Sequence, residues 1–299
     1  MNKSTQLEKL DKCNLCPNMC NANRLTSFGK CKVGKFPIVA KAYIHKFEEP
    51  VLSGKNGSGT VFFSGCTLSC VFCQNYTLSH DNYGKEITPI RLSEIFKELE
   101  DKGASNINLV TATPHVYSII EALNIYRPNI PIVYNSSGYE NIETLKLLDG
   151  YIDIYLPDFK YYDNTLAQNF SGCNNYLEIV IPAIKEMIKQ VGTPIFENNI
   201  LKKGVIIRHL VLPTHTNDSI KVMDSIKENF GDNVLVSLLG QYTPITTNNT
   251  YLELNKKITK LEYKRVLNYI QKIGLTKGFY QDLDSSSEIY IPNFDLEGV

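Results

Sequence analysis

The chain carries no surplus of charge. Across its 299 residues, 31 Lys and Arg stand against 31 Asp and Glu. A dedicated nucleic-acid binder needs basic groups to displace counterions from phosphates, so no nucleic-acid partner is expected. Disorder is excluded by an ordinary balance of 43 % apolar and 21 % charged residues, as in globular proteins. Long hydrophobic runs are also missing. The longest apolar stretches, such as 204–213, have strand length and fall far short of the ~20 residues a membrane span needs. Residues 1–10 are polar, with no apolar core of the kind a signal peptide has, so a cytoplasmic protein without a membrane partner is expected. Histidine is sparse. His45, His80, His115, His209 and His215 show no regular ligand spacing and are expected to be satisfied or exposed. Tryptophan is absent, and the 18 tyrosines carry no specific reading. A length near 300 fits one large barrel or two modest domains.

Cysteine is what the chain does have, and its placement is uneven. Of eight cysteines, only Cys173 lies beyond residue 73. In a reducing compartment such clustering points to metal or redox chemistry before disulfides. Cys66, Cys70 and Cys73 form one group, with gaps of three and two residues. A closed structural zinc site wants four ligands, so a triplet is complete only if His80 or Cys31 joins it as a zinc knuckle. A cubane iron–sulfur cluster held by three thiolates instead keeps its fourth iron open to a substrate or cofactor. Cys13, Cys16, Cys20 and Cys31 form the other group, and four thiolates can close a site without help. A second cluster and a structural zinc are both consistent with that spacing.

The run Cys66-Thr-Leu-Ser-Cys70-Val-Phe72-Cys73, entered from a strand that ends at Gly65, resembles the radical S-adenosylmethionine superfamily. The resemblance implies a 4Fe–4S cluster on Cys66, Cys70 and Cys73, with S-adenosylmethionine on the open iron and Phe72 beside it. It implies that one electron breaks a carbon–sulfur bond of the cofactor. The resulting 5′-deoxyadenosyl radical would then take a hydrogen atom from a substrate. A one-electron donor such as flavodoxin or ferredoxin is implied as a partner.

Beyond the triplet the pattern alternates. Strands are expected at 59–64, 107–112, 131–135, 151–156, 204–212 and 233–239. Helices are expected at 91–102, 115–126, 140–148, 176–190, 218–229 and 259–273, the fourth kinked or restarted at Pro182. Near-continuous apolar strands suit a parallel sheet buried on both faces. The expected fold is α/β, a partial (βα)6 TIM-like barrel at 59–299 with a C-terminal extension. A small Cys-rich segment at 1–58 precedes it. The glycine-rich stretch 54–60 reads as a hairpin turn, not a phosphate loop, because no Gly-Lys-Ser/Thr ending leads into a helix.

Functional groups in such barrels gather at the carboxyl ends of strands, which nominates further residues. Thr111-Ala-Thr113-Pro114 stands where the superfamily often has Gly-Gly-Glu-Pro. Only the Pro remains, so Thr111 and Thr113 would meet the cofactor's amino group without a negative charge. Ser136, with Asn135 and Ser137, is placed for ribose or the methionyl carboxylate; such residues are equally ordinary turn formers. Asp158-Phe159-Lys160 resembles the Asp-Leu-Lys segment of pyruvate formate-lyase activating enzyme and its relatives. Arg208, inside an apolar strand, resembles the arginine those enzymes point at the cofactor, and its structural alternative is an ion pair with Asp158 or Asp153. Cys173 reads as a packed thiol.

The whole chain resembles a branch related to pyruvate formate-lyase activating enzyme. Activating enzymes with a second cluster usually carry its cysteines after the triplet, whereas here four precede it. Glycyl-radical protein and small metabolite therefore both stand as substrates. The alternatives from other classes are an iron–sulfur electron carrier that never cleaves S-adenosylmethionine, and a barrel with two zinc sites.

Overall fold

The computed structural model describes residues 6–244, 248–281 and 292–299; residues 1–5 of the polar start lie outside them. In chain order its elements are β1 (Ile38–His45), α1 (Pro50–Ser53), β2 (Ser58–Phe63), α2 (Tyr76–Ser79), β3 (Lys85–Glu86), α3 (Pro89–Asp101) and β4 (Ile107–Val110). There follow α4 (Val116–Ile125), β5 (Ile132–Ser136), α5 (Ile142–Leu147), β6 (Ile154–Pro157), α6 (Asn164–Ser171) and α7 (Tyr176–Val191). The last are β7 (Ile195–Glu197), β8 (Ile200–Leu210), α8 (Thr216–Phe230), β9 (Leu235–Leu239), α9 (Lys260–Lys272) and β10 (Gly278–Tyr280).

The sheet runs β10-β9-β8-β6-β5-β4-β2-β1-β3, with β7 paired to β8 outside that path. From β2 to β10 every neighbouring pair is parallel. β1 pairs antiparallel with both β2 and β3. The six expected strands are all present, and the curved sheet does not close into a full barrel. Three features lay outside the sequence expectation. β10 adds a seventh parallel strand, α6 adds a helix, and residues 38–45 of the Cys-rich segment join the main sheet. The antiparallel strands β1 and β2 are joined by a link that contains α1, so of the glycine-rich stretch residues 54–57 close a longer hairpin connection than a tight turn and residues 58–60 already belong to β2.

Local chemistry accounts for the elements that frame the site. β4 is buried along its whole length, as a strand covered by helices must be. α3 starts where the Thr88 side chain accepts from the Arg91 N–H, with Pro89 in the first turn. Its Leu92, Ile95, Phe96 and Leu99 are buried against the sheet, each contributing about 1.5–3 kcal/mol. α7 continues through Pro182 without restarting. The buried stripe of Val180, Ala183, Ile184 and Met187 offsets the hydrogen bond that the proline removes. Among the described residues no helix is long and apolar enough to cross a membrane.

Beyond residue 291 the chain returns to β1. The Leu296 N–H bonds the Ala40 carbonyl, and the Ala42 N–H bonds the Glu297 carbonyl. The Lys41 ammonium reaches Asp295 at 3.0 Å and Glu297 at 3.1 Å.

Candidate active site

The cysteine triplet leaves the carboxyl end of β2 through Gly65, whose φ is +83°. A Cβ there would stand 2.2 Å from Val33 Cγ2 and 2.8 Å from the Cys31 carbonyl oxygen. Glycine is thus required both by the turn and by the Cys31 loop packed against it. Asn18 Nδ2 donates to the Thr67 carbonyl at 2.7 Å, and Asn82 Nδ2 to the Lys32 carbonyl at 2.9 Å. The two cysteine groups therefore share a wall.

Each triplet thiol has a polar neighbour. The Leu68 N–H lies 3.5 Å from Cys66 Sγ, and Ser171 Oγ 2.9 Å from Cys70 Sγ. Burial pushes all three thiols up, Cys70 to about 11, while the Lys160 ammonium counters the rise. Left alone these groups stay protonated; a bound cationic centre is what would make them thiolates. In the N-terminal group burial pushes Cys16 up to about 12 and raises Cys31. Burial of Cys20 is outweighed by the Lys30 and Ala22 N–H groups, and its thiol falls below the ordinary range. Backbone N–H groups of Asn18 and Val33 likewise face Cys16 and Cys31. A donor set of thiols met by N–H groups suits sulfur-bound metal. Among the described residues no three His, Cys, Asp or Glu side chains are drawn together tightly enough to hold a single metal ion.

A cleft of about 250 Å³ opens beside the triplet. Its walls bring together Phe72, Thr111, Thr113, Ser136, Asp158, Lys160 and Arg208, the full set nominated for the cofactor from the motif, the strand ends and the family resemblance, along with Asn135, Ser137 and Gln241. The Asp158 carboxylate links two of the cations in this wall. Its Oδ2 accepts from Lys160 Nζ at 2.7 Å and its Oδ1 from Arg208 Nε at 3.1 Å. Burial would raise this carboxyl, but Lys160 and Arg208 outweigh it and hold it below the usual range. Burial would likewise depress the Lys160 ammonium, and Asp158 reverses that. Arg208 is both a cleft residue and the partner of Asp158 in a half-buried ion pair; Asp153 pairs instead with Arg127 at 2.8 Å. The glycine at 138, with φ +73°, lets the loop after β5 pass where a Cβ would lie 2.2 Å from the Asp158 carbonyl oxygen.

Two acids escaped the sequence reading. Glu140 is 1 % exposed. Its Oε1 accepts from Thr113 Oγ1 at 2.6 Å and its Oε2 from the Tyr134 hydroxyl at 3.2 Å. Burial pushes its carboxyl up to about 7. Glu48, after β1, lines the cleft, with Oε2 4.0 Å from Arg208 Nη1. The only sequence signal for it was an adjacent acid pair, Glu48-Glu49, between a strand and a proline. Of the buried histidines, His115 departs from the expectation, for Nε2 meets the Ser64 carbonyl at 2.9 Å while Nδ1 has no hydrogen-bond partner, whereas His209 is satisfied. His209 donates or accepts at both ring nitrogens, to the Phe159 carbonyl and to Ser219 Oγ. Cys173 is buried and packed, with its sulfur 3.8 Å from the Ala167 carbonyl.

Residues 60–226 match the model of the Radical SAM superfamily. The chain belongs to that superfamily. An uncharacterized protein of Methanocaldococcus jannaschii is 34 % identical over 275 residues, covering 88 % of this chain and 75 % of that protein. Two solved radical SAM-like folds are similar at low identity. Streptococcus suis SuiB bound to its precursor peptide SuiA superposes with a TM-score of 0.52 at 16 % identity, over 74 % of this chain and 48 % of SuiB. HydG, a maturase of the FeFe-hydrogenase, gives 0.50 at 13 % identity, over 78 % of this chain and 53 % of HydG. That likeness is one of fold, and the chain spans about half the length of those structures. Radical SAM membership implies an enzyme with a 4Fe–4S cluster and S-adenosylmethionine. Cys66, Cys70 and Cys73 supply three thiols beside an open cleft, which fits such a cluster.

Proposed function

We propose that the chain is a radical enzyme that cleaves S-adenosylmethionine reductively and abstracts hydrogen from a second molecule. The observation that carries this is the placement of three thiols, and no fourth from their own loop, at the edge of a cleft lined by Asp158, Lys160 and Arg208. When bound, the cluster and S-adenosylmethionine supply the chemistry: one electron breaks the cofactor's carbon–sulfur bond, leaving methionine and a 5′-deoxyadenosyl radical that becomes 5′-deoxyadenosine on taking a hydrogen atom.

The chain's own residues bind and orient. Cys66, Cys70 and Cys73 hold the cluster. Arg208 and Lys160, locked by Asp158, present fixed positive charge to the cofactor carboxylate. Thr111 and Thr113 offer hydroxyl oxygens to its ammonium; the Thr113 proton is already given to Glu140, so a lone pair is free for a donor in the cleft. Phe72, edge-on to Phe170 and Tyr242, walls off water next to the cluster.

Cys13, Cys16, Cys20 and Cys31 are assigned to a second metal centre, iron–sulfur or zinc, that staples the N-terminal lobe to the triplet loop or relays electrons into it. The electron would come from a carrier such as flavodoxin or ferredoxin in the cytoplasm. The substrate is a protein to be given a glycyl radical, in the manner of pyruvate formate-lyase activation, or a smaller molecule. An electron carrier has no use for a cleft of this size beside its cluster. Anaerobic reconstitution tests the proposal. Reduced protein should give an electron paramagnetic resonance signal that S-adenosylmethionine perturbs, and dithionite should yield 5′-deoxyadenosine. An unperturbed signal with a fourth protein ligand on the cluster would overturn it.

A further inference from the structure

A second cavity, of about 460 Å³, adjoins the cysteine cleft and shares Phe47, Glu48, Arg208, Leu239 and Gln241 with it. No cysteine is among its described lining residues. Glu49 and the Phe279-Tyr280-Gln281 end of β10 form its own wall.

Glu49 is 8 % exposed, and its Oε2 has no hydrogen-bond partner. A buried acceptor left without a donor costs about 1–3 kcal/mol, and more if charged. Gln281 Oε1 is a second buried acceptor without a donor. Among the described residues the cations nearby are committed elsewhere. Lys160 is bonded to Asp158, and Arg208 to Asp158 and Asn135, with Glu48 only at 4.0 Å. Three carboxylates, Glu48, Glu49 and Asp158, thus stand around two cations. Burial first, and then the neighbouring Glu49, push the Glu48 carboxyl up, against Arg208 and Asn108, which lower it. The Phe279 and Tyr280 rings complete the wall, and aromatic faces attract cations.

We infer that this second cavity is a substrate subsite for an organic cation, a primary ammonium or guanidinium group. Its N–H donors satisfy Glu49 Oε2 and Gln281 Oε1, and its carbon stem lies along the aromatic wall. The inference rests on the radical-enzyme reading, in which the neighbouring cleft holds S-adenosylmethionine and the substrate needs a place beside it. Anionic groups are excluded by the same surplus of carboxylates.

Saturation-transfer NMR on the reconstituted protein, with n-butylammonium, n-butanol and butyrate as probes, tests it. The cation should bind at least tenfold more tightly than the alcohol, and butyrate should not compete. Glu49→Gln should erase the preference, while Glu94→Gln, at an exposed position of α3, should keep it. Because Glu49 also starts α1, Phe279→Leu provides a second variant, expected to weaken the cation severalfold. Equal binding of cation and alcohol, or a preference that survives Glu49→Gln, would overturn the subsite. A separate S-adenosylmethionine titration keeps the two readings apart. Cation preference without cofactor binding removes the radical reading alone, and cofactor binding without cation preference removes the subsite alone.

Discussion

Arg208 and Asp158 tie three strand ends together. The guanidinium of Arg208, on β8, donates from Nε to Asp158 Oδ1 at 3.1 Å and from Nη2 to Asn135 Oδ1 at 2.5 Å. The Phe159 N–H meets the Arg208 carbonyl at 2.8 Å, and the Asp158 N–H meets the Ser136 carbonyl at 2.9 Å. Side chains and backbone thus hold β5, β6 and β8 in register where the cleft opens.

Arg208→Ala should weaken S-adenosylmethionine binding at least tenfold and leave iron content near the wild-type value. Removing one partner of a fully buried pair costs about 3–5 kcal/mol; the cost is smaller here because Arg208 and Asp158 are each about a fifth exposed and Lys160 stays with Asp158. Equilibrium dialysis and iron assay read both effects. Equal cofactor binding by the two proteins would take Arg208 out of the site.

Cys66→Ala, Cys70→Ala and Cys73→Ala should each abolish 5′-deoxyadenosine formation, since each removes an iron ligand. Cys173→Ala should retain it, because that thiol only packs. The check is anaerobic turnover with dithionite; product from any of the three triplet variants counts against the assignment.

Gly65→Ala should disturb both cysteine groups at once. The added Cβ has nowhere to go between Val33 and the Cys31 carbonyl, and a non-glycine residue held at φ +83° is strained by about 1–3 kcal/mol. A lower melting midpoint and loss of metal from both cysteine groups are expected. Cys16→Ser should instead spare the triplet cluster while lowering stability or electron supply. A Gly65→Ala protein that melts like the wild type would show the shared wall to be loose.

Glu140 should make stability fall as pH rises through the weakly acidic range. In the unfolded chain its carboxyl ionises near 4.5, whereas burial keeps the proton on to about 7 in the folded state. Between those values the folded state binds more protons than the unfolded one, so stability drops with pH there and levels off above. The full effect is roughly 3 kcal/mol. Urea midpoints from pH 5 to 8 should show the slope in the wild type and a flatter profile in Glu140→Gln. Identical profiles would place Glu140 in a wetter setting than its bonds to Thr113 and Tyr134 indicate.

The βα core was legible because strands covered on both faces read as apolar runs, as Ile107–Val110 and Leu235–Leu239 do. The strand-end rule and the family resemblance together nominated Thr111, Asp158, Lys160 and Arg208, and the sequence had already offered Asp158 as a partner for Arg208. β1 was missed for a non-local reason. Lys41 breaks its apolar pattern, and the acids that make its burial tolerable, Asp295 and Glu297, stand at the other end of the sequence. Glu48 and Glu140 were missed for the same reason. A carboxylate is sustained in the interior by donors such as Asn108 and Thr113, which belong to other βα units and leave no local trace.

The pairing of residues 296 and 297 with β1 gives this open sheet something a closed barrel lacks. β10 sits at one margin of the sheet and Leu296 is bonded near the other, so the 15 residues between Tyr280 and Leu296 separate the two sides of the seam along the chain. A pair of spectroscopic labels at Tyr280 and Leu296 would act as a ruler across that seam. Any widening of the mouth when a guest enters would be read directly as a change in their separation.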